Sequence, residues 1–497
     1  MSRWAMVLLV GFAGCGWVRA LRGDDDGHGK EHKDDKDDKD DKGGKGDKDD
    51  KDPADRGDPG HAFKLERATA RGTRELGPDL LIVTWDTTRA DHVGAYGYAR
   101  DTTPVIDALA AECAVFDRFI VPMSTTLPSH TSLFTGVRPE EHGILANATF
   151  TGERFVPSEQ LTTLATWLSR QGYRTAGFVS STPVKQYSGI AAGFQDWNEP
   201  QGDHRRAADT VDRALEWLDK VPDDAPLFMW VHLYDPHHPY APIRALADHF
   251  EEDAALRKHI ADRDIGHRGG RERVVERMNA YDTDLFYTDR ETGRLLDGWR
   301  GGDRWGRTIL VLAGDHGEGL GQHDHMEHGL VWDEQLHAPL LIRAPGLAPR
   351  RVPFPMSAHD VLPTVLGLVE LPDEATLTAQ ITGHDVLAEG YAPGPVFSRS
   401  SVRQVKLGTN VSFAMTTSEW KAIIQADHPP ALYDLVHDPY ERDDVADDHP
   451  EVVAELRALG KSMFEAQRAL AERLGAGKTE KLDAGTLHEL QQLGYME

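Results

Sequence analysis

"DLLIVTWDTTRAD", residues 79–91, sets Leu80, Leu81, Ile82 and Val83 in succession, adds Trp85, and runs straight into Asp86. An unbroken apolar run of this kind, too short for a helix of ordinary length, is the pattern of a strand buried on both faces. Such a strand belongs inside a mainly parallel sheet with helices on its two sides. In an open sheet of that type ligands gather beyond the carboxyl ends of the strands. Asp86 stands at that end, with Thr87, Arg89, Asp91 and His92 close behind.

Outward from this strand, helical and strand-like patterns alternate. "TTPVIDALAAECAVF" and "LTTLATWLSRQGY" read as amphipathic helices, "RTAGFVS" as a strand, "TVDRALEWLDKV" as a helix and "PLFMWVHLY" as a strand. "MNAYDTDLFYTDRETGRLLDGW" predicts a long helix and "RTILVLAGDHG" another buried strand. The expected fold is α/β: a large mainly parallel sheet flanked by helices, across 76–385. Shorter segments such as "AMTTSEWKAIIQ" and "ALYDLVHDP", then the helical "VVAELRALGKSMFEAQRAL", predict a small C-terminal sheet-plus-helix subdomain over 386–475, with 476–497 left as a tail.

The N-terminus is of another kind. "MSRWAMVLLVGFAGCGWVRA" has a basic start, a short apolar run and small residues before Cys15, which predicts an export signal over 1–20. "FAGC" is similar to a bacterial lipoprotein cleavage box, with Phe12 in place of the usual leucine; lipidation of Cys15 would tether the chain to a membrane, and plain secretory cleavage is the alternative. Either way the protein is expected to be exported, to a periplasm or cell surface. Residues 21–75, rich in Asp, Lys and Gly, have almost nothing apolar to bury and are expected to form a disordered linker. The chain of 497 residues carries a net charge of −27, which argues against nucleic acid as a partner. Besides Cys15 there is only Cys113, read as a small core residue, so a chain without Cys15 has no intrachain disulfide.

Three predicted strand ends carry acids and histidines. They are the Asp86 turn, "HLYDPHHPY" (His232, Asp235, His237, His238), and "AGDHGEGLGQHDHMEHG" (Asp315, His316, Glu318, His323, His325, His328). Mixed oxygen and imidazole donors suit zinc or manganese, or calcium and magnesium where carboxylates dominate. One such cluster is weak evidence; three at strand ends point to a site. "STTLPSHTSLFTG", residues 124–136, adds a hydroxyl. Pro128 disfavours a helical Leu127, which predicts a helix starting just after Pro128 and ending at Gly136. Thr126 then lies just before an anion-favouring helix N-terminus, as a nucleophile. The alternative is that Thr125, Thr126 or Ser129 merely caps the helix.

These motifs in this order resemble the sulfatase family of the alkaline phosphatase superfamily, over roughly residues 78–470. "WDTTRADHVGAYGY" is similar to its opening strand, "TLPSHTSLFTGVRPEEHGI" to its nucleophile segment, "DPHHPY" to its substrate histidine, "GDHGEGLGQHDHMEHG" to its second metal strand and "LYDLVHDPYERDDVA" to its C-terminal signature. The resemblance implies that Asp86, Asp315 and His316 hold a divalent ion (zinc, manganese or calcium) together with Thr126. It implies that His237 and His328 meet the anion or leaving group, with His232 in the same shell, His130 toward substrate and Glu318 orienting the loop.

Three departures from the family pattern stand out. Thr126 occupies the position of the Cys or Ser that matures to formylglycine in C-x-P-S-R, so no formylglycine is expected, and His130 replaces the Arg. The family's G-K-W-H segment is absent, "GYRTAGFVSSTPVKQ" taking its place. His316 replaces an Asn common in calcium sulfatases. A Thr with an Asp–His pair is similar instead to the superfamily's phosphodiesterases and its phosphoethanolamine or glycerol-phosphate transferases. The expected function is hydrolysis of a small-molecule, glycan or lipid sulfate or phosphate ester through Thr126. Phosphoryl-type transfer is one alternative; a non-catalytic exported surface protein of the same fold is the other.

Overall fold

The computed structural model describes residues 77–149, 151–222, 225–265, 270–301, 304–369, 371, 375–401, 411–425 and 428–493. The export signal, Cys15 and the linker expected from the sequence lie outside the described residues.

Strand β1 (Asp79–Trp85) is buried at every position. Its side chains alternate between two cores: Leu80 and Ile82 enter one, Leu81, Val83 and Trp85 the other. The strands on either side, β6 (Leu227–Leu233) and β7 (Thr308–Gly314), run parallel to it and are equally buried. Each fully covered Leu, Ile or Val stabilises the fold by about 1.5–3 kcal/mol relative to exposure, so these three strands hold the sheet together. The full order across the sheet is β10 (Arg350–Met356), β2 (Ala114–Ile120), β9 (Leu340–Arg343), β7, β1, β6, β4 (Arg174–Phe178) and β5 (Asp196–Asn198), with the short β8 (His337–Ala338) pairing β2. All neighbours along this order are parallel except at β9, which runs antiparallel to both β7 and β2; β8 is likewise antiparallel to β2. The mainly parallel α/β sheet expected from the sequence is the observed architecture.

One core lies between the sheet and the helices Thr126–Thr135, Leu164–Arg170 and Ala358–Val369; the other lies under Ala207–Lys220 and Arg271–Arg300. The stretch expected to be one amphipathic helix, "TTPVIDALAAECAVF", divides. Pro104–Leu109 is helical, Ala110–Glu112 adds one tight turn, and from Ala114 the chain is β2. The reason is local: "AVFDRFI" is rich in β-branched and aromatic residues that pack on a pleated surface. Cys113, between them, is buried.

A four-stranded antiparallel sheet, β11 (Val396–Arg399), β12 (Ser412–Thr416), β13 (Trp420–Gln425) and β14 (Ala431–Asp434), forms the small C-terminal element. The helix Pro450–Leu474 packs Leu456, Met463 and Phe464 against its Phe397, Met415 and Leu432. Ser398 Oγ donates to the Val121 carbonyl and Ser401 N to the Gly329 carbonyl, which ties this sheet to the two loops on either side of Ser124 and His328. The segment read as a tail is also structured. Its β15 (Lys478–Lys481) pairs with β3 (Glu153–Val156), and the helix Ala484–Gln492 follows. Among the described residues, no helix is long and apolar enough to cross a membrane.

Candidate active site

Adjacent strands deliver the acids. Trp85 is opposite Gly314 in the β1–β7 ladder, so Asp86 and Asp315 leave the sheet side by side. The ladder persists one residue further, with Asp86 N donating to the Leu233 carbonyl and Asp315 N to the Trp85 carbonyl. Thr87 N donates to Asp315 Oδ1 at 3.1 Å. Both oxygens of Asp86 and Oδ2 of Asp315 are buried without a hydrogen-bond partner. His316 donates from Nδ1 to the Gly317 carbonyl (2.9 Å), which turns the lone pair of Nε2 inward. That nitrogen is 3.7 Å from Asp86 Oδ1, 3.6 Å from Asp315 Oδ2 and 3.5 Å from Thr126 Oγ1.

Burial pushes Asp86 up to about 7, against the pull of the His328 charge, the Thr87 N–H and the Thr126 hydroxyl. Asp315 is pushed well above the usual carboxylate range by burial and then by the charge of Asp86. Two buried carboxylates facing one another are unstable as an anionic pair unless a cation lies between them. Orphaned carboxylate oxygens, a bare imidazole nitrogen and a hydroxyl make a donor set that fits a divalent ion.

Thr126 is placed by the helix that it begins. The helix spans Thr126–Thr135, three residues earlier than expected, and Gly136 closes it at φ 70°, in the left-handed region. Pro128 is accommodated because the first turn has no intrahelical acceptor for its N–H groups; Leu127 N donates to Asn147 Oδ1 instead. The capping alternative does not describe this structure. Thr125 Oγ1 donates to the Ser124 carbonyl and Ser129 Oγ to the Asp315 carbonyl (2.6 Å), so both serve the loops while Thr126 Oγ1 faces His316. His130, expected toward substrate, lies beneath instead. Its Nδ1 donates to the Thr126 carbonyl (2.8 Å) and its Nε2 accepts from Thr84 Oγ1 (2.9 Å), because a helical residue four on from Thr126 points back down onto it.

On the open side, His328 donates from Nδ1 to the Ser124 carbonyl (2.9 Å), and its ring lies 4.4 Å from that of His316. Its Nε2 faces His237 Nε2 at 3.4 Å. His237 stacks on Tyr234 (4.5 Å) and holds Nδ1 against Tyr234 Oη (2.8 Å) and the His238 carbonyl. Burial and then the charge of His328 hold its imidazole well below the ordinary range. His232, at the end of β6, puts Nε2 3.3 Å from Asp86 Oδ2, and burial depresses it to about 3. Glu318 is fully buried, accepts from Tyr240 Oη and Gly319 N, and is pushed up to about 8 by burial and the charge of Glu327.

Sequence reasoning missed three contributors: Ser124, Tyr234 and the final helix. Leu490 and Leu493 of the C-terminal segment pack with Tyr234, and Glu489 accepts from Lys185 Nζ (2.6 Å) and Thr182 Oγ1 (2.9 Å). Lys185, within the stretch that replaces the family's lysine-bearing segment, is thus turned toward the C-terminus. The alternating Leu487, Leu490 and Leu493 were the available signal.

An α/β sheet that presents a buried carboxylate–histidine cluster and a helix-borne hydroxyl at its strand ends defines a hydrolase of the alkaline phosphatase-like class. The chain belongs to the sulfatase family: residues 78–371 match the family's sequence model. It is 25% identical over 448 residues to an ulvan-active sulfatase of Formosa agariphila, covering 82% of this chain and 81% of that one. A putative sulfatase yidJ from Bacteroides fragilis superposes with a TM-score of 0.68 at 18% identity, over 81% of this chain and 99% of the other. A phosphonate monoester hydrolase of Agrobacterium radiobacter gives 0.61 at 21% identity, over 82% and 97%. Members of this family typically bind a divalent metal, and the Asp86–Asp315–His316 group fits one.

Proposed function

We propose that the protein hydrolyses a sulfate or phosphate ester through a covalent intermediate on Thr126, with Asp86, Asp315 and His316 as the metal-holding set. The observation that carries this is the convergence of Thr126 Oγ1, His316 Nε2 and the unpartnered carboxylate oxygens. A bound divalent ion would supply a lowered hydroxyl pKa at Thr126 and neutralisation of charge on the ester oxygens.

The remaining work falls to the chain's own groups. Thr126 Oγ, deprotonated, attacks sulfur or phosphorus; the new O–S or O–P bond forms as the bond to the leaving oxygen breaks. His237 and His328 supply the proton that the leaving oxygen needs. The Nδ1 of each is held against a backbone carbonyl, so a hydrogen bond between the two Nε2 atoms requires one proton to be held by the pair. That shared proton lies on the open side of the site, poised for the leaving group. Water then attacks the sulfur or phosphorus: its oxygen leaves with the sulfate or phosphate as the bond to Thr126 Oγ breaks, and its proton returns to the histidine pair, which restores the starting state. His130 fixes the Thr126 carbonyl from below, and Asn147 the following amide, so the backbone that carries the nucleophile is held on both sides.

The relative named for activity on ulvan and the phosphonate hydrolase neighbour support an ester on a glycan or small molecule, with sulfate and phosphoryl centres both in range. Release of the expected export signal would place this activity outside the cytoplasm. The test is turnover of aryl sulfate, aryl phosphate and aryl phosphodiester with zinc, manganese or calcium, paired with mass spectrometry of the quenched enzyme. An adduct on the peptide carrying Thr126, and loss of turnover on the order of 10⁴-fold in Thr126→Ala with metal content unchanged, support the mechanism. Full activity in Thr126→Ala overturns it.

A further inference from the structure

Asp91 and His92 stood out in the sequence and take no part in the chemistry above. They form a second, separate cluster with His259. His92 and His259 are buried, and the Nε2 atom of each lacks a hydrogen-bond partner. His92 donates from Nδ1 to Asp282 Oδ1 at 2.7 Å. The other oxygen of Asp282 accepts from Tyr98 Oη and Arg100 Nη1, each at 2.7 Å. That carboxylate therefore fixes the tautomer with a bare lone pair on His92 Nε2, as carboxylates do behind metal-ligating histidines. The two imidazole rings are 4.5 Å apart at 68°, His259 Nε2 is 4.0 Å from Asp91 Oδ2, and the three residues each bring one ligand atom within 4.8 Å of the other two.

We propose that His92 Nε2, His259 Nε2 and Asp91 Oδ2 bind a zinc-class transition-metal ion at a structural site distinct from the catalytic cluster. Two imidazoles and one carboxylate suit zinc over the harder calcium and magnesium, and partial exposure of Asp91 leaves room for water as a fourth ligand. Tetrahedral zinc needs its ligand atoms about 3.3 Å apart, so the three close in by about an ångström on binding. Burial holds both imidazoles neutral, the form that ligates.

Asp91 already accepts from Arg89 and, at Oδ2, from Arg263 Nε (2.8 Å). The ion displaces Arg263, which stacks on Tyr440, and leaves Arg89 in place. Arg89 in turn donates to the carbonyls of Glu318 and Gly319 and to Gln322. Through it, the ion ties the helix Ala254–Asp262 to the loop that follows Asp315 and His316.

The test titrates zinc into the full chain carrying Asp86→Asn and Asp315→Asn, which removes the catalytic carboxylates, and into the same protein with His259→Gln added. The first is expected to bind one zinc more per chain, to melt higher with zinc, and with cobalt to show the visible absorption of a tetrahedral nitrogen–oxygen site. Zinc held by the acidic N-terminal segment is common to both proteins and cancels. Equal zinc content overturns the proposal. Should His259→Gln fold poorly, Arg263→Gln in the same background decides: removing the competing guanidinium must tighten zinc binding, and unchanged or weaker binding overturns the site.

Discussion

Two carboxylate–histidine clusters lie on either side of one turn, at Asp86 and at His92, and they are finished in opposite ways. At the catalytic cluster the carboxylates are left without partners: three buried oxygens of Asp86 and Asp315 accept no hydrogen bond. At the second cluster every carboxylate is paired. Asp282 is shared by His92, Tyr98 and Arg100, and Asp91 by Arg89 and Arg263. Buried charge without a partner costs several kcal/mol, and a fold keeps it only where something else will supply the opposite charge. The first cluster therefore fits an incoming cation, and the second is a frame complete in its anions and open at two imidazole nitrogens.

Neutralising one acid in each cluster puts this contrast to its hardest test. Asp315→Asn is expected to lower turnover at least about a thousandfold, by removing a metal-holding oxygen. In chelator-treated protein the same change should raise the melting temperature, because the Asp86–Asp315 repulsion is relieved. Asp282→Asn should do the reverse: it takes a carboxylate from the buried Arg100, which keeps Asp253 and Asn279, and costs about 1.5–3 kcal/mol with or without chelator. Parallel melting curves of the two variants check both signs. If chelator-treated Asp315→Asn melts lower than the parent, the catalytic acids are not a frustrated pair.

The contrast also explains what the sequence could reveal. Strands β1, β6 and β7 were legible because burial on both faces writes an uninterrupted apolar run, and Asp86, Asp315 and His316 because they directly follow such runs. Thr126 was legible through its neighbours Pro128 and Gly136, although the helix start was misplaced. The start depends on Asn147 taking the Leu127 amide, a contact that no local pattern records. The position of His130 beneath the site, the partners of Asp282 and the antiparallel β9 were hidden for the same reason. Asp282 is one polar residue inside a 30-residue helix, and its partners are more than 180 positions away in sequence. Long-range polar contacts leave no periodicity.

The C-terminal helix sharpens the comparison at a distance from either cluster. Removing residues 478–497 uncovers Tyr234 and leaves Lys185 without Glu489. The expected result is a kcat about 10–100-fold lower with KM less affected, since His237 loses the wall behind its stacking partner. Tyr234→Phe, which keeps the stack and deletes only the hydroxyl, should cost about tenfold or less. If the truncated protein keeps full kcat, Tyr234 does not position His237.

The smallest effect is one of pH, and it concerns the loop that carries the histidines. Asp235 and Asp284 flank Arg206 there: Asp235 Oδ2 accepts from Ala207 N, and Asp284 Oδ2 from Ala241 N just beyond "DPHHPY". Burial raises Asp235 to about 6 and Asp284 to about 7; Arg206 pulls both down, and for Asp284 the charge of Asp235 adds to the rise. Because these folded-state values lie above the unfolded ones, the stability they contribute is fully present below about pH 4 and is lost as pH rises through about 6 to 7. Denaturant unfolding of the metal-loaded protein should therefore show a lower midpoint at about pH 8 than at about pH 5, with Asp284→Asn showing a smaller difference. An equal or larger difference in Asp284→Asn would mean that Arg206 fully compensates the burial of Asp284, and that this loop, like the Asp282 frame, is closed in charge.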